Sequence, residues 1–325
     1  MVRMVIATDA SNSPILTTLF RLPLMAVTTK LLGALALAAV AACSTDPTSP
    51  TNPLATGNDA KVSSSSTNNI VVTESDIARE QEDLPPTRSW VFYYRLVATS
   101  TGAFVTGPGN PPLGVGSFEM STPTAADKGT LFNFDHVGTP IADITAIRYA
   151  TYRNQPGSGV ALPSINIQID KNGGALLPGD FMTLVYEPYV NNASIQDGVW
   201  QTWNTIPGIW WATRPITRPD GSICLPQACT LSWSDIVAAM PNATIVGGFG
   251  VNQGSFNGGL IAATDALTIA YGGNTWVYNF EPFRSPSSKD DCKNGGWETV
   301  KAADGSSFKN QGQCIKYVNE NSGHP

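Results

Sequence analysis

Histidine is almost missing from this 325-residue chain: His136 and His324 are the only two. That excludes a histidine-rich metal centre and leaves His136 as the one candidate base for a Ser-His-Asp mechanism. Charge is scarce as well. Only 14% of the residues are charged, against roughly 25% in an average domain. With 19 basic against 25 acidic residues there is no cationic excess for phosphates, so no nucleic-acid partner is expected. No Gly-x-Ser-x-Gly elbow occurs, and Ser158, between Gly157 and Gly159, reads as a flexible turn. The stretch from Gly247 to Gly254 lacks the lysine and following helix of a phosphate loop, and reads as a strand with close backbone approach. The apolar run at 31–42 stops at twelve residues, short of the about 20 that span a bilayer. In place of charge stand 30 Gly, 24 Pro and 8 Trp, beside a 42% apolar share. Coiled coils and helical bundles do not have that composition.

Twelve apolar residues do fit the core of an export signal. Lys30 precedes them, and Val40-Ala41-Ala42-Cys43 at their end resembles the bacterial lipobox. The resemblance implies removal of 1–42 and lipid on Cys43. Ser44 is not the Asp of inner-membrane retention in Gram-negative bacteria, so an outer-membrane address is implied. Met25 would open a compact signal of its own, ending at Ala42. Without 1–42 the chain keeps 16 basic and 24 acidic residues, a net charge of −8. Its membrane partner would therefore hold it by acyl chains rather than by anionic head groups.

With Cys43 given to lipid, Cys224, Cys229, Cys292 and Cys314 remain for pairing in an oxidising compartment. Of the three connectivities, sequence proximity favours Cys224–Cys229 and Cys292–Cys314. The second closes a loop of 23 residues, worth roughly 3 kcal/mol. The C-x4-C and C-x21-C spacings match a zinc ribbon poorly.

The composition divides the rest. Ser, Thr, Asn and Pro dominate 44–69, which predicts a disordered tether over 43–88, with a short helix at Ser75–Asp83. From Ser89 the period is two. Ile165, Ile167 and Ile169 alternate with Asn166, Gln168 and Asp170, and Ile147, Tyr149 and Thr151 alternate with Arg148 and Ala150. Trp90–Leu96, Phe181–Glu187, Val199–Trp203, Thr244–Gly250, Ala266–Tyr271 and Thr275–Phe280 read as further strands. Gly, Pro and Asn punctuate them, and one short helix fits Trp233–Met240, with Ser232 as its cap. An antiparallel, jelly-roll-like β-sandwich over 89–283 is expected, followed by a hinge and a small module over 284–325.

That module carries Asp291-Cys292-Lys293-Asn294-Gly295-Gly296-Trp297 and Phe308-Lys309-Asn310-Gln311-Gly312-Gln313-Cys314. The pair resembles a short C-terminal module found on many otherwise unrelated secreted bacterial proteins. Leu131–Pro140 and Asp197–Trp203 resemble an uncharacterised group of exported proteins from environmental bacteria. The resemblance implies address and fold, and no chemistry.

For chemistry the sequence offers little. Glu119, Asp135, Asp143, Asp170, Glu187 and Asp197 could supply a carboxylate pair for a carbohydrate-active hydrolase or lyase, but nothing pairs two of them. Glu187 and Asp197 are expected to be satisfied by backbone N–H groups. Asp170-Lys171-Asn172-Gly173 is a fragment of a calcium loop, with Asp170 and Asn172 as ligands; read alone it is more often an Asx turn. Trp200, Trp203, Trp210 and Trp211 crowd one stretch, and no strand can bury all four on one face. Either they pack in the core and under loops, or some form a glycan-binding face with Asp197, Gln201, Asn204 and Arg214. The reading is a lipid-anchored envelope sandwich of binding or structural type, without turnover. Glycan is its leading ligand class, with a jelly-roll hydrolase or lyase as the alternative.

Overall fold

The computed structural model describes residues 65–82, 84–95 and 99–321. The export signal, Cys43 and His324 lie outside them. Among these residues seventeen strands follow one another. The first nine are β1 (Ser66–Val72), β2 (Ile77–Gln81), β3 (Trp90–Tyr94), β4 (Thr101–Thr106), β5 (Gly116–Thr122), β6 (Lys128–Asn133), β7 (Ile144–Gln155), β8 (Ser164–Asp170) and β9 (Phe181–Tyr186). Then come β10 (Trp200–Asn204), β11 (Ile209–Ala212) and three two-residue strands, β12 (Ile216–Thr217), β13 (Ile223–Cys224) and β14 (Leu231–Ser232). After helix α1 (Trp233–Ala239) run β15 (Thr244–Gly254), β16 (Leu260–Tyr271) and β17 (Asn274–Phe280), and α2 (Gln311–Asn321) ends the described chain.

Fifteen of the strands make two stacked sheets, mostly antiparallel, and β12 and β13 pair as a separate two-stranded one. One is the eight-stranded β14-β11-β9-β8-β15-β6-β3-β2. The other has seven strands and forks at β16, which pairs β7 along one edge and, along the other, β5 at its start and β17 at its end. Period-two alternation points one set of side chains inward. Ile147, Tyr149, Phe118, Leu267 and Phe280 from the forked sheet meet Phe92, Leu131, Ile165, Ile167, Leu184 and Phe249 from the other, all buried in one core. At the fork, Asp265 fills the gap in the ladder: its carboxylate accepts the N–H groups of Phe280 and Leu113, at 3.1 and 3.0 Å.

The sandwich begins at Ser66 rather than Ser89. Residues expected to be tether form β1, parallel to β17, and β2, parallel to β3. A strand at a sheet edge needs a backbone partner more than apolar side chains. Ser66–Asn69 are exposed and polar, and only Val72 is buried in β1. The helix expected at Ser75–Asp83 is one 3-10 turn, Glu74–Asp76, running straight into β2. Both disulfides form as proximity favours, Cys224–Cys229 and Cys292–Cys314. Helix α1 is capped as expected, with the Ser232 hydroxyl accepting from the Asp235 N–H at 3.1 Å. Helix α2 was not expected. It belongs to a separate small core in which Cys292, Val300, Phe308, Cys314 and Val318 are buried together.

Candidate functional site

The four clustered tryptophans do not share a face. Trp210 is fully buried, stacked obliquely on Trp233 at 5.1 Å, with its N–H donated to the Thr205 carbonyl. Trp203 packs on the core and donates to the Thr151 hydroxyl at 2.8 Å. Trp200, on the opposite face of β10, lies 5.6 Å from Tyr152 and donates to the carbonyl of Pro108, clamping the 107–113 loop. Trp211 is half-buried and donates to Glu187 at 2.7 Å. Their companions are occupied as well. Asp197 pairs with the Arg153 guanidinium, and Gln201 bonds the backbone at Ser194 and Gln196. Arg214 is exposed beyond β11, and Asn204 closes β10. The structure brings these residues to three separate places.

The acids are likewise dispersed. Glu187 and Asp197 take side-chain donors, not the backbone N–H groups expected, because Trp211 and Arg153 reach them first. Burial raises the Glu187 carboxyl, against the hydrogen bonds of Trp211 and Tyr189. Glu119 bonds Asn154, Asp135 bonds Asn133, and Asp143 sits in the 3-10 turn before β7. Asp170 is fully buried and makes the Asx turn, accepting from the Asn172 N–H at 2.9 Å. Asn172 in turn reaches Asp180, whose carboxylate has Lys171 at 3.6 Å. Among the described residues no group of three His, Cys, Asp or Glu side chains could hold a metal. His136 is buried between the sheets, bonded to the hydroxyls of Tyr271 and Tyr278 at 3.0 and 2.8 Å. Burial pushes it down to about 4, with Asp135 pulling weakly upward.

Among the cavities that the described residues leave open, a larger one of about 640 Å³ lies beside Trp90, Arg88 and Arg284, and the most apolar in its banks is a groove of about 350 Å³ across the outer face of the eight-stranded sheet. It exists because that face is apolar too. Val91, Tyr93 and Phe132 form a second small cluster there, with Ala78 and Phe134 packed on it. In sheet order, Leu84, Pro85 and Pro86 stand on one bank, beyond β3, and Leu176 and Phe181 on the other, beyond β8. Leu84 is 52% and Leu176 51% exposed, so both banks keep apolar surface in water. Between them Thr130 and Gln168 put a hydroxyl and an amide on the floor. Gly248 makes the floor possible. A bulge in β15 between Ile245 and Phe249 turns its N–H to the Gln168 amide oxygen at 2.7 Å. A Cβ at Gly248 would sit 2.2 Å from the Phe132 ring. One end is closed by Glu82: against the desolvation that burial imposes, Lys128 and Arg95 hold its carboxyl below the usual range. Tyr93 donates to the Leu84 carbonyl at 3.0 Å and is pushed up to about 12, by burial and then by Glu80.

No exposed tryptophan marks this groove in the sequence. A signal was present. Trp90–Tyr94 and Leu131–Phe132 are apolar in both phases of the strand period, which means that both faces of β3 and β6 meet apolar surroundings. No protein-family model, curated protein or solved structure matches the chain.

Proposed function

We propose that this chain is an exported β-sandwich, held to the outer membrane by lipid on Cys43, which binds an extended envelope polymer along the outer face of its eight-stranded sheet. A glycan is the favoured class. The groove of about 350 Å³ carries the reading: apolar banks flank a floor of hydroxyl and amide groups, the combination that a sugar chain with one apolar and one polar edge requires. The lipobox-like Val40–Cys43 sequence supports the address, and two disulfides suit an oxidising compartment.

The anchor is tested by labelling with radioactive palmitate, which should mark the wild type and not Cys43→Ser. The binding role is tested with the full chain carrying Cys43→Ser, incubated with cellulose, chitin or peptidoglycan sacculi. Leu84→Ser and Phe181→Ser remove apolar surface from opposite banks and should each weaken retention about fivefold, with an unchanged melting temperature. Equal retention of both variants would remove the groove from the account. Release of reducing ends from any of these polymers would replace holding with hydrolysis or lyase chemistry.

A further inference from the structure

The loop from β15 to β16 displays Phe256, 83% exposed, more than any other large hydrophobic side chain among the described residues. Its φ of 71° is left-handed, a region that bulky side chains avoid. Two local penalties thus fall on one residue, and a glycine at this position would escape both.

The strained backbone is held from several sides. The Phe256 N–H donates to the Ala125 carbonyl at 2.7 Å, and its own carbonyl accepts from the Ser158 hydroxyl at 3.1 Å. The Ser158 N–H reaches the Gly258 carbonyl at 2.9 Å. Three loops, 123–127, 156–163 and 255–259, are stitched into one tip, and their one charged residue, Asp127, is buried. Two guanidiniums touch the tip: Arg95 reaches Ser255 and the Ala126 carbonyl and is paired with Glu82, and Arg153 donates to the Val160 carbonyl at 3.4 Å and is paired with Asp197. Val160, 62% exposed, stands on the neighbouring loop. The tip also has a direction. β1 starts opposite Asn274, beyond the end of β16, whereas Phe256 precedes its start at Leu260, so chain entry and tip lie at opposite ends of β16.

We infer that Phe256 is a second contact for the polymer, a rigid post on which a neutral sugar ring stacks. The inference rests on the envelope-binding reading above. The C–H face of a pyranose covers an aromatic ring, while the hydroxyl and amide groups of Ser158, Ser255 and Asn257 lie within the same tip for its hydroxyls. Both guanidiniums that touch the tip are already paired with carboxylates, Arg95 with Glu82 and Arg153 with Asp197, which disfavours phosphates and anionic head groups, and the tip faces away from the end where a Cys43 tether joins the sandwich. The rigid aromatic among small neutral residues keeps the ordering cost of binding low.

The test uses the same full chain with Cys43→Ser on cellulose, chitin and sacculi. Phe256→Leu keeps the apolar volume and loses the ring; retention should fall about tenfold on the polymer that holds the wild type, whereas Phe256→Trp should match it. Phe256→Gly should lose retention and melt about 2–4 °C higher, since glycine accepts the left-handed backbone. Equal retention of Phe256→Leu and the wild type would mean insertion into an apolar pocket, or no role, and overturns the stacking post alone. A lower melting temperature in Phe256→Gly overturns it too, because Phe256 would then be structural. A wild type that none of the three polymers retains removes the binding reading, and the post with it.

Discussion

At the scale of single residues, two buried titratable groups pull the pH response in opposite directions. His136 binds its proton near 6.5 when unfolded but only at about 4 when folded, because burial between Phe249, Trp276 and two tyrosines disfavours the cation. The unfolded state takes the proton first, so stability is lost as pH falls from 6.5 towards 4, by roughly 3 kcal/mol. Asp265 has the reverse sign. Burial raises it from 3.8 to about 7, against the N–H groups of Phe280, Ala266 and Leu113, with Glu281 adding to the rise. The folded state then takes the proton first, and stability is lost as pH climbs from 3.8 to 7. Glu281, raised by burial, adds to the same slope. The His136 contribution therefore offsets much of the opposite one, and the wild type should melt with a weaker pH dependence across pH 4–6.5 than a protein lacking either side. Asp265→Asn should expose the His136 slope, with melting temperature falling on acidification, and His136→Phe should expose the opposite slope. Scanning calorimetry of the three proteins decides it, and two variants sloping the same way would refute the assignment.

At the scale of elements, legibility followed periodicity. β7 and β8 could be read because one face is core and the other is wetter: Ile165, Ile167 and Ile169 are fully buried while Asn166 and Gln168 are half-exposed. β1 could not be read, because its first four residues are polar and exposed and its stability comes from backbone pairing with β17. Helix α2 could not either. Gly312 weakens it, and only Cys314 and Val318 are buried along its length. Its position depends on the disulfide, which predicts a local failure. Cys292→Ser with Cys314→Ser should cost the module roughly 3 kcal/mol and strip α2 of amide protection, leaving exchange in β8 and β15 unchanged. If strand protection falls as well, the two cores are one cooperative unit. β15 makes a sharper prediction. A Cβ on Gly250 would sit 2.0 Å from the Leu131 carbonyl, a backbone atom that cannot swing away. Gly250→Ala should therefore destabilise by about 2–4 kcal/mol in urea melts, although alanine suits strands better than glycine in isolation.

At the scale of the whole molecule, the N-terminal segment is a clasp. β1 lies in the forked sheet and β2 in the eight-stranded sheet, so the chain crosses from one layer to the other at Thr73–Asp76. The crossing is pinned twice. The Asp76 carboxylate accepts from the Thr73 N–H at 2.8 Å, and its other oxygen pairs with Arg284 at the start of the C-terminal module. Val72 and Ile77 on either side of the crossing enter the common core. The same two strands cover the outer edges of β17 and β3, which would otherwise show unpaired backbone to solvent. A fragment cut where the composition changes, at Ser89, would leave both edges bare and withdraw two core side chains. Residues 89–325 should accordingly express in aggregates, or melt at least 10 °C below the full chain, since burying Val and Ile is worth about 1.5–3 kcal/mol each before any lost pairing. Residues 65–325 should melt with the full chain. Matched melting curves for the two fragments would show that the layers close without the clasp.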